Sequence, residues 1–233
     1  MPLSRDNMSP LERNVDYLIG ESNNEPSIHV GRGYLTEKGK YKQTLSVPVN
    51  AIDISDVLHE QILRFESIYA IDSNKRTIGD HEFVASCAVH VTLEYAGDNI
   101  WRHAVFTRLP AVISIAPEGN PETFAWERLI KYLSPKIKGM IALVVDSELG
   151  DIPLFNNRAK PICADFFLPK NTQLIYASSE RDLSSPLNKA ISVCDADAKK
   201  ILNVISEKCN PDSVMNSILK TTHGAIFVSP THS

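Results

Sequence analysis

The strongest pattern in the chain runs from Phe83 to Glu94. Phe83, Ala85, Cys87, Val89, Val91 and Leu93 alternate with Val84, Ser86, Ala88, His90, Thr92 and Glu94. A period of two over that length predicts a long strand with one fully buried face. Ala96-Gly97-Asp98-Asn99 predicts the turn that follows, and Ile100 to Leu109 its hairpin partner. Ahead of this pattern, Ser67-Ile68-Tyr69-Ala70-Ile71-Asp72 reads as a short apolar strand ending in an acid. Behind it, Met140 to Val145 is an unbroken apolar run ending at Asp146, the pattern of a central strand covered on both faces. Gln173 to Ala177 predicts a further strand, and Ala225 to Val228 a last one.

Between the strands the period changes to that of helices. Asn120 suits an N-cap and Pro121 the first helical position, so a helix is predicted from there to about Leu133, ahead of Pro135. A long helix is predicted from about Pro186 to Lys208, and a short one from Pro211. Ser55-Asp56 opens another, with Val57, Leu58, Ile62 and Leu63 on one side. Residues 1–50 are rich in Asn, Ser, Pro, Gly and Lys and lack sustained periodicity. They read as an N-terminal arm or small subdomain with one short strand at most, and residues 51–233 as the main domain. The arm has too few periodic apolar positions for a core of its own, and is expected to dock on the domain or on a second copy.

Composition narrows the function classes. The chain has 233 residues and is 43% hydrophobic, enough for one large core. No run approaches the ~20 apolar residues of a membrane span, and the N-terminus lacks the apolar region of a secretory signal, so the chain reads as cytoplasmic. The four cysteines are scattered without a Cys-x-x-Cys pair, which gives no zinc-finger spacing; Cys87 and Cys194 read as buried thiols. A net charge of −4 argues against coating long nucleic acid. One local basic stretch runs against that balance: Arg128, Lys131, Lys136 and Lys138, with Arg158 and Lys160 as outlying members. It reads as a solvated face or as a phosphate track.

Candidate chemistry comes from acids at the ends of elements. Asp72 ends the first core strand and Asp146 the buried one. Ligands of open α/β sheets sit at the carboxyl ends of strands. If these two strands are parallel neighbours, their carboxylates converge and repel unless a cation lies between them. A Mg²⁺ or Mn²⁺ pair would neutralise them and clamp a phosphate for in-line attack by water. Glu122 stands before the apolar stripe Ala125, Trp126, Leu129, Ile130 and Leu133, so it faces the core from the first helical turn. It serves either as a metal ligand or as a complement to the helix dipole. Glu127 falls on the opposite, solvent side. On the long helix, Asp195 and Asp197 flank the stripe Leu187, Ile191, Cys194, Ala198, Ile201, Leu202 and Ile205 on either side. Their side chains point about 200° apart, so both cannot reach one site.

The order strand, hairpin, helix, strand, strand, helix, with acids at these places, resembles the ribonuclease H-like, or retroviral-integrase-like, superfamily in a divergent bacterial-type form. Asp195 and Ala198 match that family's Asp-x-x-Ala helix motif, and Tyr69 to Asn74 resembles bacterial members carrying Asp-Glu-Ser-Gly there, although the Glu is absent from this chain. The likeness covers about Ser67 to Lys208. It implies a mixed five-stranded sheet with flanking helices and a two-metal nuclease acting on RNA or DNA. In that scheme Asp72 and Asp146 bind or bridge Mg²⁺ or Mn²⁺, and Glu122 and Asp195 complete the shells. A nuclease subunit of a bacterial defence or mobile-element system fits this by analogy alone. The rival reading is a non-catalytic ribonuclease H-like scaffold that assembles with proteins, through the arm or as a homo-oligomer. Other chemistries are poorer fits: no Gly-x-Ser-x-Gly elbow or His-x-x-x-His pair occurs.

Overall fold

The computed structural model of the protein describes the strand backbones at 15–19, 26–30 and 44–48, and residues 64–95, 101–116, 119–146, 151–179, 185–221 and 224–229. The helix expected around 56–63 and the turn at 96–99 lie outside the described residues. The chain is α/β, with one mixed open sheet and flanking helices. Its strands are β1 Val15–Ile19, β2 Pro26–Val30, β3 Thr44–Pro48, β4 Ser67–Ile78, β5 His81–Tyr95, β6 Trp101–Arg108, β7 Ala111–Ile115, β8 Ile141–Val145, β9 Thr172–Tyr176 and β10 Ala225–Ser229. Among the described residues the helices are α1 Pro121–Leu133, α2 Ile152–Asn156, α3 Pro186–Lys208 and α4 Pro211–Leu219. Among the described residues, no helix is long and apolar enough to cross a membrane.

The sheet is larger than the five strands expected. Among the described residues it has ten, in the order β1-β2-β10-β7-β5-β4-β8-β9, with β6 beside β5 and β3 beside β6. The five expected strands are all present as β4, β5, β6, β8 and β9. The last strand expected from Ala225 is present as β10, and the additions are β7 and N-terminal strands numbering three where one was expected, of which β2 pairs in parallel with β10 and β3 antiparallel with β6. β7 escapes a pattern reading because Leu109-Pro110 separates it from β6. Both strands then share one partner: β6 pairs with Val89–Tyr95 of β5 and β7 with Phe83–Ser86. Proline cannot donate to the ladder, which accounts for the break at that point.

Two apolar layers enclose the sheet. On one face, Ala70, Phe83, Cys87, Val89 and Val144 pack beneath α3 and α4, against Ile191, Cys194, Leu202 and Ile218. On the other, Tyr69, Ile71, Leu143 and Val145 pack beneath α1, where Trp126 meets Phe155 of α2 edge-on. Burial on both sides explains why β8 is apolar at every position. The α1 N-terminus is capped as expected, with the Asn120 side chain accepting from the Glu122 amide at 2.9 Å. Cys87 and Cys194 are fully buried and free.

Candidate acidic site at the ends of two parallel strands

β4 and β8 are parallel neighbours, and their ladder ends at the rung Ile71–Val145. The residue after that rung is an acid on each side, Asp72 and Asp146, so the two residues leave the ladder side by side. Asp72 does not end its strand, however. β4 continues to Ile78 because the longer β5 goes on satisfying its backbone, with Asp72 opposite Cys87; Gly79, at φ 61°, makes the hairpin turn.

Alternation along β4 turns Asp72 and Asn74 to the α3 face, the side on which Ala70 packs. There the Asn74 amide donates to Asp195 Oδ1 at 2.9 Å, while Lys199 Nζ donates to the other carboxylate oxygen at 2.8 Å. Asp146 is held from the far side: the backbone N–H and the hydroxyl of Ser179, just past β9, both donate to its Oδ2 at 2.8 Å. Glu122 opens α1.

Asp72 is the electrostatic centre of the group. Burial pushes its carboxyl up to about 7, the amide of Ser73 pulls the other way, and the charges of Asp195, Asp146 and Glu122 raise it further, in that order. Each of the other three acids chosen from the sequence therefore acts on Asp72. They are not a preformed cage: among the described residues, no three Asp, Glu, His or Cys side chains are gathered closely enough to hold a metal ion.

No protein-family model matches the chain, and no curated protein matches it. The chemistry is thus read from the residues alone. Carboxylate oxygens are hard donors of the kind that suits Mg²⁺ or Mn²⁺ and suits softer metals poorly.

The second acid of α3 has another task. Asp197 is 2% exposed and forms a two-pronged pair with Arg108 of β6, Nε to Oδ2 at 2.5 Å and Nη2 to Oδ1 at 3.3 Å. Asp195 and Asp197 thus point to different partners, as their spacing requires. Glu127 also departs from the solvent position expected of it. It is half-buried, accepts from the Cys163 thiol at 2.8 Å and pairs with Lys131. The loop carrying Cys163 covers that side of α1, which helical periodicity within α1 cannot reveal. His90 rests against the Tyr69 ring at 4.9 Å, and burial lowers its pKa, keeping it neutral. Four residues around the acids are not singled out by the sequence pattern: Asn74, Ser179, Lys199 and Arg108. Two carry a signal, Asn74 as the i+2 neighbour of Asp72 on one strand face and Lys199 as the i+4 partner of Asp195 on one helix face.

Proposed function

We propose that this chain is a ribonuclease H-like, Mg²⁺- or Mn²⁺-dependent nuclease that hydrolyses phosphodiester bonds of RNA or DNA at Asp72, Glu122, Asp146 and Asp195. The observation that carries the reading is the joint exit of Asp72 and Asp146 from adjacent parallel strands, with two more carboxylates close enough to raise Asp72. It is supported by the element order β4, β5–β6, β7, α1, β8, α2, β9, α3, which keeps the strand, hairpin, helix, strand, strand, helix order of that superfamily with β7 and the short α2 added. Bound cations would offset the repulsion among these acids and stabilise charge on a phosphate under attack by water. The chain's own contribution is positional. Ser179 fixes the rotamer of Asp146, and Asn74 and Lys199 hold Asp195 beside β4. Asp72, buried and proton-binding near neutrality, is the group whose charge state the site controls.

One observation favours a second reading, in which the same domain is a non-catalytic scaffold: Asp195 already has a cationic partner in Lys199, so its charge is balanced within α3. Metal separates the two. The nuclease reading expects millimolar Mn²⁺ to raise the melting temperature, by mass action on the folded state, and expects Mn²⁺-dependent cleavage of an oligonucleotide. Asp146→Asn and Asp195→Asn should each abolish cleavage, with Asp195→Asn retaining the wild-type melting temperature within about 2 °C because asparagine keeps the shape and an oxygen that accepts from Asn74. A wild type with neither a metal-dependent shift nor cleavage is the scaffold's result.

A further inference from the structure

The basic stretch that the acidic site leaves unexplained borders a cavity. Arg128 to Met140 contains four cations and no acid, in a chain of net charge −4. Lys131, Lys136 and Lys138 are exposed. Three cations of this stretch sit over aromatic rings: Arg128 at 4.4 Å from the Phe124 centroid, Lys131 at 5.2 Å from Phe166, and Lys136 at 3.3 Å from Tyr132. The outlying Arg158 and Lys160 do not belong with them, since neither borders the cavity that Arg128 and Lys131 line. Arg158 donates to the carbonyls of Asn156 and Pro169, and Lys160 pairs with Asp151.

Between α1 and the sheet lies an opening of 580 Å³, with Ala88, Val112 and Phe227 on the sheet side and Phe124, Lys131 and Tyr132 on the helix side. That volume lies within the roughly 300–1,000 Å³ of small-ligand pockets, and the combination of apolar walls and a few polar groups is their usual character. One acid, Glu127, also borders it, and it is already paired with Lys131. An apolar slot edged by rings and followed by a row of lysines matches an unpaired base followed by its phosphates: bases stack on aromatic faces while cations track the backbone.

We propose that this face binds single-stranded nucleic acid, one base entering the cavity between α1 and the sheet while Lys131, Lys136 and Lys138 hold the phosphates that follow. The inference rests on the nuclease reading for its biological use, and it supplies that reading's substrate class. A duplex would keep its bases stacked and leave the cavity empty.

The test is fluorescence anisotropy on the full chain in EDTA, so metal binding and cleavage play no part in it. Labelled oligothymidylate, oligouridylate, an abasic strand of equal length and a duplex are titrated over about 50–200 mM salt. The single strands should bind, and both more tightly than the duplex and the abasic strand. The triple variant Lys131→Ala, Lys136→Ala, Lys138→Ala should bind about ten-fold more weakly. Its salt slope should fall by about 2, since each phosphate neutralised on a single strand accounts for ~0.7. Tyr132→Ala should weaken the base-bearing strands and leave the abasic strand unchanged. Failure of the single strands to bind, a duplex or abasic strand bound equally well, or an unaltered triple variant of wild-type melting temperature overturns the site. Mn²⁺-dependent cleavage measured separately would still stand or fall alone.

Discussion

Arg108→Met lowers the stability of the fold by about 3–5 kcal/mol, the usual cost of breaking a buried ion pair from one side, and the melting temperature by on the order of 10 °C. The reason lies in the alternation of β6. Ala104, Phe106 and Arg108 share the face turned to α3, and all three are buried. Arg108 is tolerated there because its guanidinium forks onto Asp197, itself 2% exposed. Burial pushes the Asp197 carboxyl up, and Arg108 opposes that shift. Removing the guanidinium leaves burial opposed by Lys200 alone, so the folded-state pKa rises further. A raised carboxyl pKa contributes stability that is present at low pH and lost as pH rises through it, so the deficit is larger at pH 8 than at pH 5. Adding Asp197→Leu should recover most of the loss, since well-packed apolar residues often replace a buried pair at little cost. Denaturant melts of the two variants at both pH values check this. Equal stability of Arg108→Met and the wild type would show that the pair does not hold α3 to the sheet.

That pair also marks where sequence reasoning stops. The α1 and α3 boundaries are legible to the residue, because proline at the first position and a following apolar stripe are local signals. The burial of β8 is legible from its unbroken apolar run. The pairing of β4 with β8 is only a condition at that level, and the fold alone supplies the rung Ile71–Val145 that sets Asp72 beside Asp146. Asp197 illustrates the harder case. At the edge of an apolar stripe an acid is usually solvated, and within α3 only the Asp-x-x-Ala match and the i+4 Lys199 set Asp195 apart from it, without showing that Asp197 is buried. The distinguishing residue is Arg108, 89 positions earlier. Its place two residues after Phe106, on the inward parity of a strand, signals a buried cation in need of an acid, but not which acid. Ser179 is beyond sequence reasoning for a similar reason: its bond to Asp146 depends on β9 lying next to β8. β7 is hidden because Pro110 interrupts an alternation that three-dimensional pairing resumes on the same partner.

Asp72→Asn should stabilise the metal-free protein at pH 8 by on the order of 3–4 kcal/mol, while leaving it nearly unchanged at pH 4. The folded-state carboxyl titrates at about 7 against an ordinary 3.8. Between those values the folded protein holds a proton that the unfolded chain has released, so wild-type stability falls as pH rises from about 4 to about 7. Above 7 the folded state carries a buried charge next to Asp195, Asp146 and Glu122, and asparagine removes that charge while keeping the shape. Added Mn²⁺ should invert the ranking at pH 8: the wild type gains because a cation takes the place of the proton, and the variant gains little because its amide is a neutral, weaker ligand. Melting curves from pH 4 to pH 8, in EDTA and in millimolar Mn²⁺, give both comparisons. A stability difference independent of pH would place the Asp72 carboxyl in its ordinary range and remove the electrostatic argument for the site. A variant more stable than wild type at pH 8 in both EDTA and Mn²⁺ would keep the electrostatics and reject the metal, leaving a strained acidic cluster in a scaffold.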